Sequence, residues 1–456
     1  MKIQIEKLGR VNQASIDLDK KFIILTGQNN SGKTWVSYLV YGIFSLIKEI
    51  NLLGGDNRVS QLKEEKQISI DFEQYILENV EKINESLSNI VFNNLSSIFK
   101  TDKNLFKNTK IKIDIEDIKL INKIKNVDDI RGRVSLGKNI SLIFEKKKNE
   151  VTAHIFLINT EDADLTSDFS FFAGEVAPRV FSDQLIRKCY ADVCFMPAER
   201  IAINIFSKEM SLKRNKMIDD LQDYLLNNKG EQEAKEFINR ESSRYPLPIS
   251  NALQIAEDLS NLSREISRFD WLANEIEQEI LKGKISVNKD GDFEFKPKYR
   301  GSKKLAIHLT GSVVKTFASI VFYFRHLAEP GDFIIIDEPE INLHPDNQVI
   351  LARILAKIVN NGFKLMISTH SEYTLKEINY FVNMQNKPEI FTAMSEKYGY
   401  TQDILLNPDD LSVYLFRDDG SCQEIAVKQD GFDIETIDQV INEQSQKSLS
   451  VAGWNN

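Results

Sequence analysis

Cysteine is scarce: Cys189, Cys194 and Cys422 are the only three in 456 residues. They cannot complete a disulfide framework, and no CxxC pair begins a zinc site, so reduced thiols are expected. Histidine is also sparse. His154, His308, His326, His344 and His370 never fall in HExxH spacing, which argues against a catalytic metal held by imidazoles. No apolar run approaches the roughly 18 to 20 residues of a membrane helix, and the charged start MKIQIEK lacks the apolar stretch of a secretion signal. A cytoplasmic protein without membrane contact is expected. A net charge of −9 argues against wholesale coating of nucleic acid, while leaving room for a local basic cluster.

What remains is an ordinary globular composition, with apolar residues at 42% and charged ones at 27%. The length fits two or three domains of about 150 residues, or one large domain with insertions. The first 27 residues read as two antiparallel strands and a buried strand, Phe22 to Leu25, followed by a helix from Thr34 to Leu53. Residues 61–135 read as a largely helical insertion, and a hairpin follows with arms at Ile140 to Phe144 and Val151 to Ile158. The run Ala191 to Met196 leads into PAER, Pro197 to Arg200. Residues 206–285 read as a second helical insertion, interrupted by Pro246 and Pro248. As a hairpin its arms would reach at most about 58 Å at about 1.5 Å per residue, too short for a long coiled-coil arm.

Beyond it, ISVNKDGDFEF carries a hairpin signal at Asp290 and Gly291. A helix from Val313 to Leu327, a strand Phe333 to Ile336, a helix Asn347 to Val359, a strand Lys364 to Ser368 and a helix Thr374 to Tyr380 follow. A hairpin from Leu411 to Val427 and a helix from Ile434 close the pattern. Strands alternating with helices imply an α/β fold with a mainly parallel, covered sheet, and antiparallel strands at the start.

Chemistry concentrates in three places. GQNNSGKT, Gly27 to Thr34, fits the phosphate loop G-x-x-x-x-G-K-[ST], set between a buried strand and a helix. Gly27, Asn29, Asn30, Ser31 and Gly32 would curl backbone N–H groups around a triphosphate, Lys33 would reach the β- and γ-phosphates, and Thr34 would offer its hydroxyl to Mg²⁺. The strand Phe333 to Ile336 delivers Asp337, a carboxylate for Mg²⁺, and Glu338, the candidate base for an attacking water. The strand Lys364 to Ser368 ends at Thr369 and His370, and an imidazole there can sense a γ-phosphate.

Together GQNNSGKT, LTGS (Leu309 to Ser312), IIIDEPEINLHP (Ile334 to Pro345) and STHS (Ser368 to Ser371) resemble the ATP-binding-cassette (ABC) ATPases of the RecF, SMC and OLD branch. The resemblance implies an ABC-type head with a mainly parallel sheet, an antiparallel β-subdomain and helical insertions. The head would be discontinuous, spanning 1–205 and 286–456. Lys33 and Thr34 would be Walker A, Asp337 and Glu338 Walker B, and His370 the switch histidine. Thr310, Gly311 and Ser312 would form the signature, in which Thr and Ser stand where relatives carry L-S-G-G. The family's Q-loop glutamine has no evident counterpart. ATP and Mg²⁺ are the implied cofactors. Two copies would meet head to tail, the signature of one covering ATP on the Walker A loop of the other, with Glu340 to Pro345 as the D-loop between the paired sites.

Within the branch, PAER, DEPEINLHP and the C-terminal hairpin most resemble the ATPase subunits of anti-phage systems such as Septu (PtuA) and PARIS (AriA), and the ATPase half of OLD nucleases. The chain after His370 is too short for a fused nuclease, so a separate nuclease or toxin effector is the expected partner. A RecF-like clamp on duplex DNA and a non-hydrolysing ATP-dependent scaffold are the alternatives. A transporter motor fits poorly with a chain this large and without a membrane segment. KPKYRGSKK, Lys296 to Lys304, reads as a solvated loop or a phosphate-backbone contact, making nucleic acid a further partner to test. Glu199 and Arg200 read as an ion pair near the nucleotide or the dimer seam.

Overall fold

A computed structural model describes the chain except residues 53–61, 63, 64, 137, 138, 160–168, 170, 210–244, 434–446 and 448–456. The expected helix from Ile434 and much of the expected insertion at 206–285 lie outside the described residues.

Strands β1 (Lys2–Leu8) and β2 (Val11–Asp17) pair antiparallel, and β3 (Phe22–Gly27) is the buried strand that precedes α1 (Lys33–Leu46). The helix stops short of the expected Leu53 in a single 3-10 turn, Ile47–Glu49. Glu49 is unfavourable at the negative end of a helix and Asn51 is a weak helix former. Strand β4 (Gln67–Asp71) then leads directly into the long helix α2 (Phe72–Phe99), whose first amides are capped by Asp71.

The stretch 61–135, expected to be largely helical, also holds three strands that periodicity did not bring out: β4 and the two that follow. β5 (Lys110–Asp114) pairs with β1, so this stretch is built into the first sheet. After α3 (Asp117–Asn126), β6 (Ile130–Leu136) joins the hairpin β7 (Ile140–Lys146) and β8 (Thr152–Asn159), and β4 completes that antiparallel sheet in the order β4-β8-β7-β6. Helix α4 (Ala177–Cys189) precedes β9 (Val193–Met196). The described part of the second stretch is helical, with α5 (Leu247–Glu257) and α6 (Asp270–Ile276). A small sheet of β10 (Gly283–Val287), β11 (Phe293–Pro297) and β12 (Leu305–Ala306) follows, and its first turn carries Gly291 at φ +78°.

The remaining elements are α7 (Ser312–Phe322), β13 (Phe333–Asp337), α8 (Pro345–Asn360), β14 (Lys364–Ser368), α9 (Glu372–Gln385), α10 (Pro388–Tyr398), β15 (Leu411–Phe416) and β16 (Cys422–Ile425). The central sheet has the order β16-β15-β3-β14-β13-β9, parallel except for β16. Side chains alternate across it. Ile23, Leu25, Phe333, Ile335 and Met366 join the core that contains α1, α2 and α4, while Phe22, Ile24, Ile334, Ile336, Leu365 and Ile367 join the core of α6 to α9. Burial on both faces is why β3, β13 and β14 read as continuous apolar runs. The expected fold class is therefore what the chain adopts: α/β, with a mainly parallel sheet, antiparallel sheets and many helices. Among the described residues no helix is long and apolar enough to cross a membrane.

The last hairpin is laced to the first. Asn12 N–H donates to the Gly420 carbonyl at 2.7 Å, and Asp17 N–H to the Tyr414 hydroxyl at 2.8 Å. A Cβ at Gly27 would lie 2.1 Å from the Phe416 carbonyl oxygen, so only glycine lets β3 leave the sheet beside β15.

Lys364 opens β14 with its amine 4.7 Å above the Phe333 ring and 5.2 Å above the Phe44 ring. Burial pulls its pKa from 10.5 down to about 7, with repulsion from Lys123 adding to the shift. A base whose folded pKa is depressed costs stability in full below that value, and the cost fades as pH rises towards the unfolded value. The two rings recover part of it. Lys364→Met is expected to stabilise the fold by about 1 kcal/mol at pH 7 and by less at pH 9.5. Denaturant titrations at the two pH values would check this, and a Met variant less stable at pH 7 would refute it.

Candidate functional site

The site is built at the carboxyl ends of three adjacent parallel strands, β3, β14 and β13. β3 ends at Gly27, φ +125°, and the loop continues through Asn30 at φ +58° and Gly32 at φ +106°. A Cβ at Gly32 would meet Val11 at 2.6 Å. Gly32 caps α1 with no side-chain hydrogen bond, and the first turn holds no acid. The first amides of the helix therefore keep their positive end open to an anion.

Lys33 is buried and turned back over the loop. Its amine donates to the carbonyls of Gly27 (3.1 Å) and Gln28 (2.7 Å) and to the Ser31 hydroxyl (3.3 Å). Burial lowers its pKa to about 8, against the pull of Asp337, Glu338 and Glu340. Ser31 in turn donates to the Gln28 carbonyl at 2.7 Å.

The next residue, Thr34, donates through its hydroxyl to Asp337 Oδ2 at 3.1 Å, joining positions 303 residues apart. The other Asp337 oxygen accepts from the Ser368 hydroxyl. Burial raises the pKa of Asp337, and those two hydrogen bonds oppose the rise. A hydroxyl beside a carboxylate is an oxygen donor set that suits a hard divalent cation. Among the described residues no cluster of three or more His, Cys, Asp or Glu side chains could hold a metal alone.

Glu338 sits at φ +47°, a conformation that non-glycine residues adopt at a cost of about 1 to 3 kcal/mol and that clusters at functional sites. Its Oε1 lies 3.5 Å from His370 Nε2, both side chains about one-third exposed. The hydrogen bond from His370 draws the Glu338 pKa below the usual carboxylate value, with desolvation opposing it. A partly exposed, ionised carboxylate facing an imidazole at a strand end can accept a proton from water.

Two contributors were not assigned these roles from sequence. Glu340 Oε1 accepts from the Thr369 hydroxyl (2.6 Å), His370 N–H (2.8 Å) and Ser371 N–H (3.1 Å), clasping the loop that carries the imidazole. Its signal was present in DEPE, as a second acid two residues beyond Glu338. The other is Arg200. The expected Glu199–Arg200 ion pair does not form among the described residues; the guanidinium is 1% exposed and is spent on the carbonyls of Pro197, Asp337 and Glu338. Buried carbonyls beyond a strand end need donors, and Arg200 supplies them.

Thr310, Gly311 and Ser312 lie elsewhere in the chain, at the start of α7. Thr310 donates to the Ile307 carbonyl at 2.6 Å, Gly311 caps α7 without a side-chain bond, and Leu309 is 66% exposed. Among the described residues nothing beyond its chain neighbours lies within 4 Å of the place where a Gly311 Cβ would stand. Among the described residues no hydrogen bond or ion pair links this segment to the phosphate loop within one chain. Asn29 and Asn30 remain at the exposed rim of the loop.

Comparison with known proteins places the chain as follows. A model of the AAA ATPase domain family matches residues 1–375. No curated protein matches. Among solved structures, the chain is similar to an SMC head bound to the C-winged helix domain of ScpA, at 12% identity over 93% of this chain and 96% of that one, with a TM-score of 0.34. It is also similar to a Smc head domain with an extended coiled coil bound to the C-terminal domain of ScpA, derived from Pyrococcus furiosus (12% identity, 97% and 98% covered, TM-score 0.32). A third is the SMC head domain from Thermotoga maritima (10% identity, 94% and 98% covered, TM-score 0.29).

Proposed function

The chain belongs to the AAA ATPase domain family, and from that premise we infer that it binds and hydrolyses ATP between two copies of itself. The supporting observation is the convergence of Thr34, Asp337, Glu338 and His370 on one edge of the central sheet, Thr34 against Asp337 and Glu338 against His370. Gly27 to Thr34 hold the phosphates, with the Lys33 amine exchanging loop carbonyls for β- and γ-oxygens. Thr34 and Asp337 hold Mg²⁺, which when bound neutralises phosphate charge. Glu338 takes a proton from the attacking water, and His370 senses the γ-phosphate. Thr310, Gly311 and Ser312 of the second copy cover the nucleotide, in keeping with the exposed position of Gly311 and Ser312 in a single chain.

In this reading the head comprises 1–205 and 286–456, and the stretches near 61–135 and 206–285 are its insertions. The protein serves as the cytoplasmic scaffold and sensor of an anti-phage defence complex, and ATP-driven pairing controls a separate nuclease or toxin. A second reading, a clamp on duplex DNA, draws on one feature. Lys284 faces Lys296 across β10 and β11, and Lys298 N–H bonds the Lys282 carbonyl. Like charges set opposite each other weaken a sheet, and a phosphate backbone would relieve them.

Light scattering with and without ATP tests the core of the proposal, combined with co-purification of the neighbouring gene product. A doubling of mass on adding ATP is expected, with the effector retained. An unchanged mass together with no phosphate release would refute it. Salt-sensitive duplex binding that stimulates hydrolysis would favour the clamp.

A further inference from the structure

PAER opens a helix over 200–209 that touches three parts of the molecule. At its start Arg200 donates through Nη1 to the carbonyls of Asp337 (2.7 Å) and Pro197 (3.0 Å), and through Nη2 to that of Glu338 (2.6 Å). One planar fork thus holds two consecutive carbonyls of the turn after β13, a geometry the single amine of a lysine does not reproduce. The same Glu338 carbonyl also accepts from Ile341 N–H at 3.1 Å, and Leu343 N–H bonds the Glu340 carbonyl at 2.9 Å. Arg200 therefore fixes the start of a hydrogen-bonded turn whose first residue is held in a left-handed conformation. Such conformations persist only where their surroundings enforce them.

One turn along the helix, Asn204 donates to the Lys315 carbonyl of α7 at 2.7 Å. α7 is the helix whose start presents Thr310 to Ser312. Between these two, Ile203 packs with Leu253 and Ala256 of α5. The surroundings are not close-packed: a cavity of about 40 Å³ is lined by Arg200, Ile203 and Asn204 together with Ala256 of α5 and Ser319 of α7. Among the described residues Arg200 Nε and Asn204 Oδ1 are buried without hydrogen-bond partners. A helix bordered by a void can shift without the repacking that a dense core would impose.

We infer that the helix over 200–209 is a transmission element, with Arg200 the positioning residue that sets the backbone of Glu338 according to how α5 sits on Ile203. The control it gives over turnover rests on the reading of Glu338 as the base. The backbone control does not, so the two can fail separately.

Amide hydrogen exchange on the full chain without nucleotide, alongside steady-state turnover, tests the inference. Arg200→Lys is expected to speed exchange at Ile341 and Leu343 at least tenfold while leaving β3 protected. In the same variant kcat should fall at least tenfold, with KM for ATP within threefold. Leu253→Ala, which thins the packing of α5 on Ile203, should speed exchange at the same two amides at least threefold. Unchanged exchange in Arg200→Lys overturns the positioning role, and unchanged exchange in Leu253→Ala overturns transmission. A parent that hydrolyses no ATP sinks the proposed function, while the exchange data still decide the role of Arg200.

Discussion

Glu338→Gln is expected to bind ATP as the parent does, to hydrolyse it about 100- to 1,000-fold more slowly, and to accumulate as the ATP-bound assembly. The substitution keeps the size of the side chain and can occupy the same left-handed backbone, so the turn held by Arg200 should persist. What it removes is the negative charge. In the parent, the bond from His370 holds the Glu338 pKa below the usual carboxylate value, so the carboxyl is ionised at neutral pH and ready to accept a proton. An amide has no comparable basicity and cannot take the proton from water. Binding should survive because the phosphates are held by the loop and the start of α1, not by Glu338. Phosphate release under single-turnover conditions, set beside equilibrium nucleotide binding, separates the two effects. Hydrolysis at the parent rate would remove Glu338 from the role of base.

Lys33→Ala should act earlier, at binding, and weaken ATP affinity at least about 100-fold, or roughly 3 kcal/mol. The amine already makes three hydrogen bonds inside the loop. Its removal takes away the cation meant for the phosphates and also the clasp that shapes Gly27 to Ser31. Hydrogen bonds involving an ionised partner contribute about 1.5 to 3 kcal/mol each, so losing the contacts to two phosphates accounts for the expected size. The fold itself should not suffer, since burying that amine depresses its pKa and is already unfavourable. Calorimetric titration with ATP checks the outcome. Binding within threefold of the parent would show that the loop does not work as proposed.

The parts of the molecule that could be read from sequence are those where burial leaves a plain mark. β3, β13 and β14 are covered on both faces, so each is a run of apolar residues, and each ends on a residue that breaks the run: Gly27, Asp337 and Ser368. The hairpins at Gly291 and Gly420 announce themselves because both glycines take positive φ. β5 is different. In KIKID, Lys110, Lys112 and Asp114 are exposed and Ile113 is buried, yet so short an alternation is lost among the lysine- and isoleucine-rich helices beside it. Its partner β1 lies about a hundred residues upstream, and nothing local records the pairing. The roles of Arg200 and Glu340 were hidden for the same reason. A guanidinium that bonds carbonyls, and a carboxylate that bonds the backbone of another loop, leave no periodic trace. Proximity in space defines them.

The contact between Gly27 and Phe416 carries a consequence for how the molecule comes into being. The nucleotide loop is encoded well ahead of the strand that walls it. A growing polypeptide still on the ribosome thus holds GQNNSGKT without its support, and the pocket can close only once β15 has emerged and found β3. Assembly of the site therefore waits for β15, and a chain broken off before Leu411 would carry the whole motif and no finished pocket.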